Sequence, residues 1–329
     1  MQRHTCYNFF FMSTLASFAI GTTARRTYCA VSRFTKVKVQ HGVQNFNANE
    51  PAMFSQGFTN IPAIEKWFNR SLDDSSPALN AAYLDRFSES IVPLELTQTD
   101  NNGSSTFERF EAPLSLLLAH MTGPLTPRTR LYLAQHSLAD LPYALQSDLP
   151  TPPLLSKLGR GDIYASSLWM GRPPTRTPLH RDPNPNLFVQ VAGEKVVRLM
   201  KPDVGRALYE KVCAELSEAG GRANMRDEKM MQGADLAAME KAVWEGDGKG
   251  EVEGVEAVLE AGDGLYIPLG WWHAVRGVGE GVSANASVSN GVQRSRRDAN
   301  GSRRSIGGFA EASGPRSSDD IAHGREDRA

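Results

Sequence analysis

Three side chains carry the chemical interest of this sequence: His180 and Asp182 within "TPLHRDPNPN", and His273 within "GDGLYIPLGWWHAV". His180 and Asp182 are two residues apart, so on an extended segment both project from the same face. Two imidazoles and one carboxylate gathered on one side of a divalent ion form the ligand set of non-haem iron(II) sites, which leave the remaining positions open. The second imidazole must then arrive from elsewhere, and His273 is the candidate. Each half of the set is weak by itself. His-x-Asp is a short pattern, and a histidine between Trp272 and Ala274 taken alone would be a packed core residue with one hydrogen bond.

A second chemistry has to be weighed, because His180-Arg181-Asp182 also spells the start of a protein-kinase catalytic loop. That loop needs four residues between the aspartate and an asparagine that holds magnesium. Here only three separate Asp182 from Asn186, two prolines interrupt the stretch, and no glycine-rich phosphate loop, Val-Ala-Ile-Lys strand or Asp-Phe-Gly accompanies it. The kinase reading fails.

Short strands must position these residues. "DIYASSLWM", "LFVQV", "KVVRLM", "VEAVLEAGDGLYIPL", "HAVRGV" and "VSANASVS" are β-branched or alternating runs separated by turn signals, and "AGEK" and "AGDG" suit hairpin or bulge turns. Many short strands at close spacing predict a sandwich or barrel. Residues 203–245, with "GRALYEKVCAELSEAG" and "ADLAAMEKAVW", read as a helical insertion between strands; Met225, Met230, Met231 and Met239 there are expected to pack rather than bind. Residues 50–160 read as helical and looped. "PAIEKWFNRSL" places Ile64, Trp67 and Phe68 on one helical face, and "ERFEAPLSLLLAHM" does so with Phe110, Leu114, Leu117 and Leu118. "TRLYLAQHSL" is the exception, a strand, and "SDLPTPPLL" is a proline-punctuated connection.

The bulk composition bounds the rest. Among 329 residues, 40% hydrophobic and 22% charged side chains with a net charge of -1 describe an ordinary globular chain and argue against a protein that coats nucleic acid. Three cysteines, Cys6, Cys29 and Cys213, have no metal-like spacing and predict no disulfide framework. No Asp or Glu precedes Glu50, while Arg3, Arg25, Arg26, Arg33, Lys36 and Lys38 do. Residues 1–45 therefore read as a targeting or disordered segment, with mitochondrial import, a secretory leader and simple disorder all open. "FFFMSTLASFAIG" is too short for a membrane span. The domain is expected over 46–290, and 291–329 as a disordered tail with too little apolar surface to fold.

Taken together, "TPLHRDPNPNLFVQVAGEKVVRLMKP" and "GDGLYIPLGWWHAV" closely resemble the JmjC/cupin-8-like iron(II)- and 2-oxoglutarate-dependent dioxygenases. Within that group the chain is similar to the asparaginyl hydroxylase that inhibits hypoxia-inducible factor. The resemblance implies a mainly β fold with α, a double-stranded β-helix (jelly roll) carrying N-terminal helices on one sheet. It makes His180, Asp182 and His273 the iron ligands and Lys195 the holder of the distal carboxylate of 2-oxoglutarate, with Arg198 and Lys201 as less well-placed substitutes. Thr177 and Tyr132 match hydroxyls on the same carboxylate. Asn186 matches an amide near the cosubstrate, although a role in fixing the loop is equally open. Ser287 or Ser289 matches a further cosubstrate position, while the aromatic residues expected after it are missing. Trp271 and Trp272 read as wall and packing. The implied activity is hydroxylation of a protein side chain. A noncatalytic cupin-like binding or scaffold protein, or a hydroxylase acting on RNA, are the alternatives. Gln135 and the 203–245 insertion are the candidates for substrate recognition, and no oligomer is predicted.

Overall fold

The computed structural model describes residues 34–42, 46–69, 77–157, 163–218, 233–245 and 252–290. Residues 1–33 and 43–45 of the basic N-terminal segment, Met225, Met230, Met231 and the 291–329 tail lie outside the described residues, whereas β1 (Phe34–Lys36) and Val37, within the segment expected to be targeting or disordered, join the smaller sheet and the core.

The chain enters through β1 (Phe34–Lys36) and β2 (Ala52–Phe54), then α1 (Pro62–Lys66), the ribbon of β3 (Phe68–Asn69) and β4 (Ala78–Leu79), and α2 (Ala81–Leu84). Three long strands follow, β5 (Ile91–Thr99), β6 (Ser105–Pro113) and β7 (Thr129–Ser137), with α3 (Leu114–Thr122) before the last and α4 (Tyr143–Asp148) after it. Next come β8 (Ile163–Gly171), β9 (Thr175–Arg181), β10 (Asn186–Ala192) and β11 (Glu194–Met200). After α5 (Pro202–Glu218) and α6 (Gly233–Glu240), the chain closes with β12 (Gly254–Leu259), β13 (Gly264–Ile267), β14 (Trp272–Val278) and β15 (Ser283–Asn290).

Two sheets result. The larger has the order β2-β13-β10-β15-β8-β7-β5-β6 and the smaller β1-β12-β11-β14-β9. From β8 onward the chain crosses between them at every step except β11 to β12, which pair within the smaller sheet, and this winding makes a double-stranded β-helix, the cupin or jelly-roll architecture. "AGEK" and "AGDG" therefore do not close hairpins within a sheet, as their turn chemistry suggests. Each carries the chain across from one sheet to the other, with Gly193 and Gly262 at φ of 63° and 93°, values that favour glycine. At Gly193 a Cβ would also lie 2.3 Å from the Val282 carbonyl oxygen.

Side-chain alternation gives each sheet two different faces. On the larger sheet Leu94, Leu133, Leu168, Met170, Leu187, Val189, Ala286 and Val288 face outward into a core completed by Ile64, Trp67, Leu84, Leu117, Leu118 and Leu145 of the N-terminal helices. Buried Asp148 ties those helices together by accepting hydrogen bonds from Trp67 Nε1 at 2.9 Å, Tyr83 Oη at 2.5 Å and Lys66 Nζ at 2.6 Å. On the smaller sheet the outward face is covered by the insertion. Leu208 and Val212 of α5 and Met239 of α6 pack on Leu179, Met200, Trp272 and Ala274, so Met239 is a packing residue. Between the sheets lies a third cluster, with Phe188, Leu265 and Ile267 meeting Val197, Leu199 and Val275.

The helical reading of 50–160 needs correction. β5 and β6 pair over nine residues each, and Phe110 lies in β6 opposite Leu94 rather than on the helix that begins at Leu114. "ERFEAP" fits a helical spacing, but pairing with β5 decides its conformation, since the same apolar residue can serve either period over so short a run. α1 likewise ends at Lys66, with Phe68 in β3, although Ile64, Trp67 and Phe68 are all buried as expected.

Candidate active site

His180 is near the end of β9 and His273 near the start of β14, and the two are directly paired across the smaller sheet. Their ring centroids are 4.1 Å apart. Asp182 follows β9 by one residue and reaches back between them. His180 Nε2 lies 3.8 Å from Asp182 Oδ1, and His273 Nε2 lies 3.8 Å from Asp182 Oδ2. One ligand atom from each of the three falls within 4.8 Å of the others.

A bulge makes this possible. Between the pairs His180–His273 and Thr177–Val275, β9 spends three residues where β14 spends two. Residues three apart on a regular strand point to opposite faces. The extra residue restores the facing, so Thr177 and His180 both lie on the side of Val275 and His273, toward the interior, while Leu179 joins the outer core.

The backbone also sets the tautomers. His180 Nδ1 is 2.8 Å from the Pro178 carbonyl oxygen and His273 Nδ1 is 3.4 Å from that of Trp271. A carbonyl only accepts, so each Nδ1 carries the proton and each Nε2 presents a lone pair toward Asp182. His273 is 3% exposed. Burial and the neighbouring His180 lower its pKa to about 4 against the opposing pull of Asp182, so it is neutral at physiological pH. Burial pushes the Asp182 carboxyl upward, but His273, His180 and the Asn186 amide together hold it below its ordinary value. A neutral His273 imidazole and an ionised carboxylate, with the Nδ1 atoms of both histidines engaged by carbonyls, suit a divalent ion. The 3.8 Å separations are also within the roughly 4.2 Å that two bonds of about 2.1 Å can span through one ion. The donor set fits an iron(II) ion.

The interior between the sheets also holds a buried cation. Lys195, on β11, is 1% exposed, and its ammonium lies between the two sheets. It donates to the Tyr132 hydroxyl at 3.2 Å and to Asn285 Oδ1. The rings of Tyr132 and Phe188 each lie 5.7 Å from Nζ. Among the described residues no carboxylate pairs with it, and burial lowers its pKa to about 7. Tyr132, raised chiefly by burial and then by Glu95, also bonds Thr175. Its ring has room because position 171 is glycine: a Cβ there would lie 2.5 Å from the ring.

The remaining candidates divide. Asn186 donates from Nδ2 to Asp182 Oδ2 at 3.1 Å. Ser287 accepts from Asn285 Nδ2 at 3.4 Å, and Ser289 is the cross-strand partner of Asn186. Trp271 packs in the inter-sheet core and supplies the carbonyl for His273, whereas Trp272 faces outward onto α5, where a Cβ on Gly205 would come within 2.5 Å of it. Arg198 points away from the interior, binding Glu256 at 2.7 Å and the Val243 carbonyl at 2.8 Å. Lys201 is exposed at the start of α5. Neither stands in for Lys195. Gln135 sits exposed at a bulge in β7 with φ of 54°.

Asn285 and Thr175 were not among the expected residues. Asn285 could have been found from "SANASVS", where Ser283, Asn285, Ser287 and Ser289 alternate with Ala284, Ala286 and Val288. That period of two puts all four polar residues on one face.

Comparison with known proteins agrees with the architecture. The cupin-like domain family matches residues 43–289. The chain belongs to the cupin-like JmjC domain family. This cupin-like chain is 30% identical over 249 residues to the lysine-specific demethylase JMJ30 of Arabidopsis thaliana, covering 74% of the chain and 51% of that protein. With Jumonji C domain-containing protein 5 of Drosophila melanogaster it shares 28% identity over 240 residues, 70% of the chain and 52% of that protein. It also matches the human bifunctional peptidase and (3S)-lysyl hydroxylase JMJD7, 24% identical over 251 residues, 69% of the chain and 73% of that protein. The cupin-like chain thus spans about half the length of the first two relatives. No helix among its described residues is long and apolar enough to cross a membrane.

Proposed function

We propose that this chain is an iron(II)- and 2-oxoglutarate-dependent oxygenase that hydroxylates a protein side chain. The observation that carries the reading is the pair of Nε2 lone pairs converging on Asp182 beside a buried, carboxylate-free lysine. His180, Asp182 and His273 would hold the iron on one side. When bound, iron(II) with 2-oxoglutarate supplies the oxidising chemistry, coupling oxygen reduction and loss of carbon dioxide to insertion of one oxygen atom into a substrate C–H bond.

The protein's own part is to bind, orient and exclude water. Lys195 would place its ammonium on the distal carboxylate, with Tyr132 and Thr177 donating hydroxyl bonds to the same group. That carboxylate supplies the counter-charge the buried ammonium otherwise lacks. Asn285, with Ser287 behind it, would orient the lysine. Pro178 and Trp271 carbonyls keep both imidazoles in the tautomer that presents Nε2. Phe188 and Trp271 keep bulk water from the space between the sheets.

Hydroxylation rather than demethylation is supported by the likeness to a lysyl hydroxylase, of which this chain spans nearly three quarters. The finer likeness to asparaginyl hydroxylases belongs to the same proposal. The last strand lends the noncatalytic alternative no support, since β15 pairs with β8 from Ser283 to Asn290 and with β10 from Ala284 to Ser289, each with one register shift. The test is succinate release from 2-oxoglutarate with added iron(II): the wild-type chain turns over, and His180→Ala falls to background. Equal rates in the two would refute the reading in favour of a binding protein.

A further inference from the structure

Asn186 opens β10 and is 7% exposed. Its Nδ2 donates to Asp182 Oδ2, the same oxygen that lies 3.8 Å from His273 Nε2. The opposite amide orientation would set the Asn186 carbonyl oxygen about as close to that carboxylate oxygen, placing two acceptors together, so the hydrogen-bond pattern fixes which end faces the acid. The carbonyl oxygen, Oδ1, is then buried with no hydrogen-bond partner among the described residues. Buried amide oxygens are rarely left so, and one that persists marks a position held for another reason.

The backbone explains why this amide can hold the acid. Asp182 lies beyond the last residue of β9, outside any ladder, so strand pairing does not fix its side chain. Asn186, four residues on, is anchored on both sides, by Ile267 of β13 and Ser289 of β15. The loop between them is therefore gripped at its far end by a rigid strand, and the amide transmits that rigidity to the carboxylate.

We propose that Asn186 is a positioning residue for the metal-binding carboxylate, locking Asp182 in the rotamer that faces both imidazoles. This deepens the proposed function and rests on the triad being a metal site. A partner that orients a ligating carboxylate is typically worth 10- to 100-fold in metal affinity.

The test is Mn(II) binding to the full chain, followed by electron paramagnetic resonance without cosubstrate, together with the visible absorption of the Co(II)-loaded protein. The expected result is a 10- to 100-fold weaker Mn(II) affinity in Asn186→Ala and in the near-isosteric Asn186→Leu, with a changed Co(II) spectrum reporting an altered carboxylate. Wild-type affinity with an unchanged spectrum in either folded variant would overturn the proposal. Should both variants fail to fold, the wild-type Asn186 side-chain amide signals decide. They must shift and gain protection from exchange on Zn(II) addition, and signals left unmoved would overturn it. Failure of the underlying reading looks different: wild type and His180→Ala would then bind Mn(II) equally poorly.

Discussion

The two ends of the inter-sheet space solve opposite problems. At one end His180, Asp182 and His273 are prepared by local contacts: ring protons are committed to Pro178 and Trp271 carbonyls, and the carboxylate is held by Asn186. At the other, Lys195 keeps an ammonium away from water with, among the described residues, only a hydroxyl and an amide oxygen as hydrogen-bond partners. A buried charge without a counter-ion is costly, and its lowered pKa records that cost. The metal end is preorganised to receive a cation, whereas the lysine end is poised to receive an anion. A cosubstrate bearing a carboxylate for each end would satisfy both.

Substitutions that strike one end alone separate them. Asp182→Ala removes the carboxylate shared by both imidazoles and should lower divalent-metal affinity by more than about 100-fold, beyond the range for an outer partner, as measured by Mn(II) titration. Lys195→Met should leave that titration nearly unchanged. It should weaken 2-oxoglutarate binding by roughly 10- to 150-fold, the equivalent of about 1.5–3 kcal/mol for hydrogen bonds to a charged group, as read by calorimetry. A metal affinity that fell equally in both variants would erase the distinction.

The same lysine leaves a mark on stability. Its folded pKa of about 7 lies below the ordinary 10.5, so between those values the unfolded chain binds more protons at this position. Stability of the ligand-free protein should therefore rise with pH across that window, and Lys195→Met should flatten the rise in denaturant titrations. At the metal end the window lies lower: His273, at about 4, adds a rise between pH 4 and 6.5 that His273→Gln removes.

Smaller effects refine the lysine end. Gly171→Ala drives a methyl into the Tyr132 ring and should raise the KM for 2-oxoglutarate roughly tenfold, in keeping with overpacking costs of about 1–3 kcal/mol, with metal affinity intact. Ser287→Ala removes only the acceptor of a long bond from Asn285 and should change that KM by no more than about threefold.

Much of this was legible in the residues. His180, Asp182 and His273 converge as their spacing suggested, and Lys195 is turned inward just after the "AGEK" crossing. The strands from 163 onward alternate clearly because one face meets a core. What stayed hidden depends on partners distant in sequence. β5 and β6 read poorly because strand pairing, not local period, sets them. The bulge that turns Thr177 and His180 to one side has no local sequence signature, and neither does the crossing of "AGEK" from one sheet to the other. Asn285 was visible in its alternation, yet its meaning emerges only once Lys195 reaches it.

The most direct measurement is the visible charge-transfer absorption of iron(II) chelated by 2-oxoglutarate, recorded without oxygen. Wild-type protein should develop the band on adding both ligands. His273→Ala and Asp182→Ala should lose it, and Lys195→Met should recover it only at higher 2-oxoglutarate. A band of undiminished strength in His273→Ala would show that the two histidines and Asp182 do not share one ion, and the account would fail.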